Sequence, residues 1–138
     1  MFFNIFNKKE QKPKEGTIRE YYKNGQLMSE EFFIMGKRWG ITTYWHENGN
    51  VLKYVNYEND QLDGPYLEYY ESGQLAWDCT FKVDVVTGLS LEYHENGVIH
   101  NRINYLNGIE HGDFASYKED GSIWVEAKFH LGKEVKSK

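Results

Sequence analysis

The chain has 138 residues, 17% of them aromatic and 27% charged, with a formal net charge of −5. That length builds one modest core, and the composition excludes intrinsic disorder, which needs low hydrophobicity and high net charge together. The acid surplus is concentrated. Residues 16–135 hold ten Lys/Arg against nineteen Asp/Glu, whereas the first fifteen carry four Lys and two Glu and the last three carry two Lys. An acidic body repels phosphate backbones, so nucleic acid is excluded as a partner and a basic protein is favoured.

At the start, Phe2, Phe3, Ile5 and Phe6 precede Lys8 and Lys9. The apolar run is too short for a secretory signal, and its positive charge is on the wrong side. Residues 1–15 read as a cap for the first edge of a sheet, with a tether to a membrane surface as the alternative. No stretch approaches the roughly 20 apolar residues that span a bilayer. Cys79 is the lone cysteine, which precludes an intramolecular disulfide and points to a reducing, cytoplasmic setting.

From residue 16 the chain repeats. Gly16, Gly40, Gly64, Gly88 and Gly112 recur every 24 residues, and Gly25, Gly49, Gly73, Gly97 and Gly121 keep the same period. Five units follow, 16–39, 40–63, 64–87, 88–111 and 112–135, with a tail at 136–138. With each unit's first glycine as position 0, position 5 is aromatic in every unit (Tyr21, Trp45, Tyr69, Tyr93, Tyr117) and position 11 is aliphatic. Position 17 is again aromatic, and position 15 is apolar except at Glu31. Odd-numbered apolar positions imply strands, with oily side chains on one face and polar ones on the other.

Turn chemistry agrees. Asn24-Gly25, Asn48-Gly49, Ser72-Gly73, Asn96-Gly97 and Asp120-Gly121 separate the apolar runs. A three-residue loop ending in a left-handed glycine pairs position 5 with 11 and position 3 with 13, which brings the apolar series together. A second reversal falls near position 20, where Gly36, Asp60, Asp84, Gly108 and Gly132 tolerate positive φ. The expected fold is all-β: a solenoid-like meander of five antiparallel hairpins, about ten strands, capped at its N-terminus.

These units, Gly-x4-aromatic-(Tyr/His)-Glu-Asn-Gly-x-aliphatic closed by x-Asn-Gly-x3-Gly, resemble the MORN repeat. They are most similar to its second variant, found in bacterial YwqK-type antitoxin proteins. The resemblance implies a hairpin array and a protein-binding antitoxin or immunity role. The better-known MORN form carries further glycines where this chain has Asp60 and Asp84. That departure separates it from the lipid binding attributed to that form.

Candidate chemistry is sparse. His46-Glu47 and His94-Glu95 echo a metalloprotease motif, but a second His four residues on is replaced by Asn50 and Val98. His100 is expected opposite Glu92 and diagonal to His94, a cross-strand pair rather than a ligand set. Cys79 reads as an inert buried thiol, and Ser72 and Ser116 have no His–acid partners. The sequence therefore points to a protein that is not an enzyme and needs no metal or cofactor. Off the apolar positions, Tyr22, Tyr44, His46, Tyr54, Glu68, Tyr70, Asp78, Glu92, His94, Arg102 and Trp124 have the make-up of a recognition surface. Glu47, Glu71, Glu95 and Glu119 form an acidic row at the turns. The expected function is non-catalytic occlusion of a basic toxin, with a scaffold or membrane-peripheral adaptor as the alternative. Free sheet edges permit a monomer or an edge-paired dimer.

Overall fold

Valine, isoleucine, tyrosine and phenylalanine alternating between glycine turns favour pleated strands, and strands are what form. The computed structural model describes residues 13–136, so residues 1–12 of the expected cap or tether lie outside the described residues, while Lys14 O and Glu15 Oε2 accept from the Gly36 and Met35 N–H groups. The strands are β1 (Gly16–Tyr21), β2 (Leu27–Ile34), β3 (Lys37–Arg38), β4 (Gly40–Trp45), β5 (Val51–Glu58), β6 (Gln61–Tyr69) and β7 (Leu75–Lys82). They continue as β8 (Val85–Tyr93), β9 (Ile99–Leu106), β10 (Ile109–Glu110), β11 (Gly112–Tyr117), β12 (Ile123–His130) and β13 (Lys133–Glu134). All belong to one antiparallel sheet in sequence order, with β3 and β10 as short side pieces. Ten long strands make the five expected hairpins, and β3, β10 and β13 are two-residue returns that lead out of hairpins one, four and five.

Two turn types alternate along the sheet. At the Asn-Gly end, the Gly25 N–H donates to Tyr22 O and the Tyr22 N–H donates to Gln26 O, which closes the three-residue loop with Gly25 at φ 86°. At the other end, both central residues of each turn have positive φ, as in Met35 (49°) and Gly36 (82°). This is the primed two-residue turn that matches strand twist. Where Asp replaces Gly, its side chain is used. Asp60 Oδ1 accepts from the Arg38 backbone N–H (2.9 Å) and from Arg38 Nε (3.1 Å), and Asp84 Oδ1 accepts from the Leu62 N–H (2.7 Å).

The register departs from expectation at one residue per hairpin. Tyr21 pairs with Leu27 as anticipated, but Glu20 pairs with Ser29 and Arg19 with Glu30. Position 3 therefore faces 14, not 13, and all five hairpins repeat this shift. The extra residue is position 12: Met28, Leu52, Ala76, His100 and Trp124. Such a bulge inserts one unpaired residue and reverses the facing of everything beyond it. Positions 15 and 17 consequently share a face with 0, 2, 4 and 13, whereas 5 and 11 lie on the opposite face with 3 and 14. The single oily face inferred from odd positions does not exist; each face takes part of the apolar set.

The core lies on the first of these faces. Val55 and Cys79 are 2% exposed, and Phe33 and Ile103 are buried with them. Small hydroxyl residues fill the row between, with Ser29, Thr42 and Ser90 buried. Thr42 Oγ1 is the one buried side-chain polar atom without a hydrogen-bond partner among the described residues. A single-layer sheet reaches such burial because side chains of neighbouring hairpins close over one another. Stacking, not a second layer, makes the core. On the opposite face Tyr21, at the edge strand, is 58% exposed, while Tyr69 and Tyr93 are half-buried.

Candidate functional site

The sequence-inferred recognition residues divide into four groups. At the Asn-Gly turns, position 6 fastens each hairpin to the next. Tyr22 Oη donates to Trp45 O (2.7 Å) and Tyr70 Oη donates to Tyr93 O (2.6 Å). His46 Nε2 bonds Tyr69 O (2.9 Å), and His94 Nε2 bonds Tyr117 O (2.8 Å). Because a carbonyl only accepts, both imidazoles carry their proton on Nε2. Asparagine at position 8 adds a second fastener, with Asn24, Asn48 and Asn96 Nδ2 donating to the carbonyls of Glu47, Glu71 and Glu119. Tyr22, His46, Tyr70 and His94 thus have their polar tips engaged inside the array, a role that sequence reading missed. The 24-residue recurrence of a ring with a polar tip was the available signal.

Tyr54, Asp78 and Arg102, all at position 14, lie on the face opposite the core. Tyr54 packs edge-on against Tyr69 with ring centroids 6.0 Å apart. Ile41, Tyr54, Pro65 and Leu67 border an apolar notch of about 300 Å³ there. Trp124, the bulge residue of the last hairpin, is 66% exposed on β12, whose outer edge is bonded among the described residues from Lys128 to His130, by β13 and the Val135 N–H.

Tyr44, Glu68 and Glu92 sit on the core face at position 4, where position 13 of adjacent strands completes the row. Lys53 pairs with Glu68, Glu68 with Trp77, and Trp77 with Glu92 across β5, β6, β7 and β8. Glu92 faces Asn101 on its other side, correcting the expected pairing with His100. Asn101 Nδ2 donates to Glu92 Oε2 (2.7 Å), and His100, displaced into the bulge, stacks on His94 with ring centroids 4.3 Å apart. Tyr66 Oη donates to Glu68 Oε2 (2.6 Å). Burial, reinforced by that carboxylate, raises the Tyr66 phenol well above its ordinary pKa, so it stays a donor.

Trp77, absent from the sequence-inferred set, is the centre of this row. Its Nε1–H donates to Ser90 Oγ (2.8 Å), and its ring meets Tyr66 and Phe81 with centroids 4.9 and 6.1 Å away. Three contacts therefore hold the indole in place. Above it a cavity of about 260 Å³ opens between Glu68 and Glu92, walled by Tyr70, Tyr93 and His100. Among the described residues neither carboxylate has an ion-pair partner. The cross-strand Lys53 lays its ammonium over the Tyr44 ring instead, 4.7 Å from the centroid. Beside the row Cys79 is buried as expected, and burial, with Asp78 and Glu68 adding to it, pushes its thiol up to about 12. Two histidine pairs, His94–His100 and His111–His130, approach each other. Among the described residues no third His, Cys, Asp or Glu completes a metal-binding group.

No helix among the described residues is long and apolar enough to cross a membrane. A search of curated proteins returns no significant match. The profile of the MORN repeat variant matches residues 14–35, 40–59, 62–82 and 86–107, more than half of the chain. These segments are the first four hairpins, which share the fasteners at position 6. The match supports a protein-binding or membrane-associated module. On these four matched hairpins, and on the fold they build, the chain belongs to the MORN repeat variant family.

Proposed function

We propose that this chain is a non-catalytic protein-binding module that neutralises a basic partner by covering its surface, as an antitoxin or immunity protein acting in the cytoplasm does. The observation that carries this reading is the row Glu68–Trp77–Glu92 on the core face, where unpaired carboxylates flank a fixed aromatic ring. Acids interleaved with anchored aromatics suit recognition of a cationic protein surface. The acid surplus of residues 16–135 adds a long-range field that speeds encounter with such a partner and weakens as salt rises.

Co-purification from the native cells tests the proposal. A basic partner retained at physiological salt, with its toxicity suppressed by this chain, is the expected result. Recovery of no tight partner, or of one whose activity continues in the complex, sinks it. The family match also accommodates a membrane-peripheral adaptor. Flotation with vesicles containing anionic lipid separates the two, since the protein-binding reading expects the chain to stay in the bottom fraction.

A further inference from the structure

We infer that the cavity between Glu68 and Glu92 is an arginine subsite, receiving the guanidinium of one side chain of the partner protein; this rests on the protein-binding reading above. Three features of the cavity converge on that group. First, Trp77 is among the residues that line it, and its indole is held by contacts with Ser90, Tyr66 and Phe81. A cation within about 6 Å of such a ring is attracted by its quadrupole, and tryptophan is the strongest of the aromatic platforms.

Second, a carboxylate stands on each side. Glu68 and Glu92 are both cross-strand neighbours of Trp77, two strand spacings or about 10 Å apart at the backbone. Each has one oxygen already engaged, by Tyr66 Oη and by Asn101 Nδ2, and both engaged oxygens are the Oε2. Those bonds fix the carboxylates and leave the Oε1 atoms for an incoming donor. Third, the nearest resident cation is occupied elsewhere, since Lys53 lies over Tyr44.

The shape of the guanidinium decides between cations. It is planar, so it stacks on the indole, and its five N–H donors radiate in that plane toward acceptors on both sides. An ammonium is a compact and strongly hydrated point charge that meets one carboxylate at a time. A cavity of about 260 Å³ admits the guanidinium with part of its stem. Tyr70 and Ala76 then line the aliphatic portion, the usual division between a charged head and an apolar stem.

The test uses the full chain and N-acetyl-arginine methylamide as the probe, followed by the Trp77 indole N–H resonance in a titration. A saturable shift with a dissociation constant in the roughly millimolar range is expected for one small ligand. Glu68→Gln/Glu92→Gln should weaken binding at least tenfold while the melting temperature stays close to that of the parent. The amide oxygens still accept the bonds from Tyr66 and Asn101, so the fold is kept. Glu47→Gln/Glu71→Gln, at the exposed turns, should leave binding within twofold. The citrulline analogue, a neutral isostere, should not bind, and the lysine analogue should bind more weakly.

The inference is overturned by no saturable shift, by equal binding of citrulline, or by equal losses in the two double variants. A protein partner held undiminished by Glu68→Gln/Glu92→Gln would discard the subsite and leave the binding-module reading intact. Arginine binding without any protein partner would do the reverse.

Discussion

In unit three, position 13 is Trp77, half-buried between two carboxylates, and position 6 is Tyr70, bonded forward to Tyr93 O. In unit five the equivalent residues are Val125, 44% exposed, and Lys118, which makes no such forward bond among the described residues. Position 8 marks the same boundary one unit later: Asn96 of unit four both caps its turn and donates to Glu119 O, whereas Asp120 of unit five caps its own turn through Ser122. The two hairpins have the same register and turn. Among the described residues, β8 and β9 follow unit three as a further hairpin, and unit five is followed only by β13. Burial in this array is therefore a property of the interface between units more than of any unit, as expected when stability is a sum of nearest-neighbour terms. The residues that face forward are also those that unit five changes, and the family match stops before it.

Truncation at the core sharpens this contrast most. Ile103→Ala, at a buried site between units four and five, should cost about 2–4 kcal/mol in urea unfolding. Val125→Ala on the open edge should cost less than about 0.5 kcal/mol. Equal losses would mean that the end hairpin is as well packed as the middle, which would break the comparison.

Backbone strain gives the next largest effect. Val83 in unit three and Leu131 in unit five both sit at positive φ, 49° and 47°, in equivalent turns. A left-handed conformation costs an L-residue roughly 1–2 kcal/mol, and branching at Cβ worsens it. Val83→Asn should therefore stabilise the protein by about 1 kcal/mol, and Leu131→Asn by less, measured as a rise in thermal midpoint.

The fasteners come third. Tyr70→Phe removes only the hydroxyl that donates to Tyr93 O and should cost about 0.5–1.5 kcal/mol. Lys118→Met should leave stability within about 0.5 kcal/mol, since no forward bond is lost. A silent Tyr70→Phe would reduce the position-6 ladder to incidental contacts.

The mildest test is alkaline. Burial pushes the Cys79 thiol from its ordinary 9.0 up to about 12 in the folded chain. Tyr44, Tyr66 and Tyr105 are raised as well, in each case chiefly by burial. Below pH 9 these groups are protonated in both states and the full stability is present. As pH climbs toward 12 the unfolded chain loses protons that the folded chain keeps, so stability falls. Urea midpoints at pH 8 and pH 10.5 should show the decline, and Cys79→Ala should lessen it. At pH 8 the folded thiol should resist an aromatic disulfide reagent until the sheet opens.

How much of this was legible beforehand differs by feature. The 24-residue register, the three-residue loop and the reversal near position 20 follow from glycines and short polar residues, because local backbone sterics decide them. Cys79 was legible as a buried thiol for a similar reason, since its neighbours at position 15 are apolar. Trp77 was not singled out, because position 13 shares no residue type across the units and its value depends on Glu68 and Glu92 arriving from two other strands.

The sequence by itself determined that the chain would reverse every dozen residues or so, because turns are built from neighbours in the chain. Only the tertiary structure decided which side chains share a face. Met28, Leu52, Ala76, His100 and Trp124 have no chemistry in common, yet each is the residue left over when its hairpin pairs. A bulge is selected by the fit of two strands and their stacked neighbours, not by the residue that bulges. One displaced residue per unit was enough to move Glu68 and Glu92 onto the core face beside Trp77, and so to part them from Tyr54, Asp78 and Arg102 on the other.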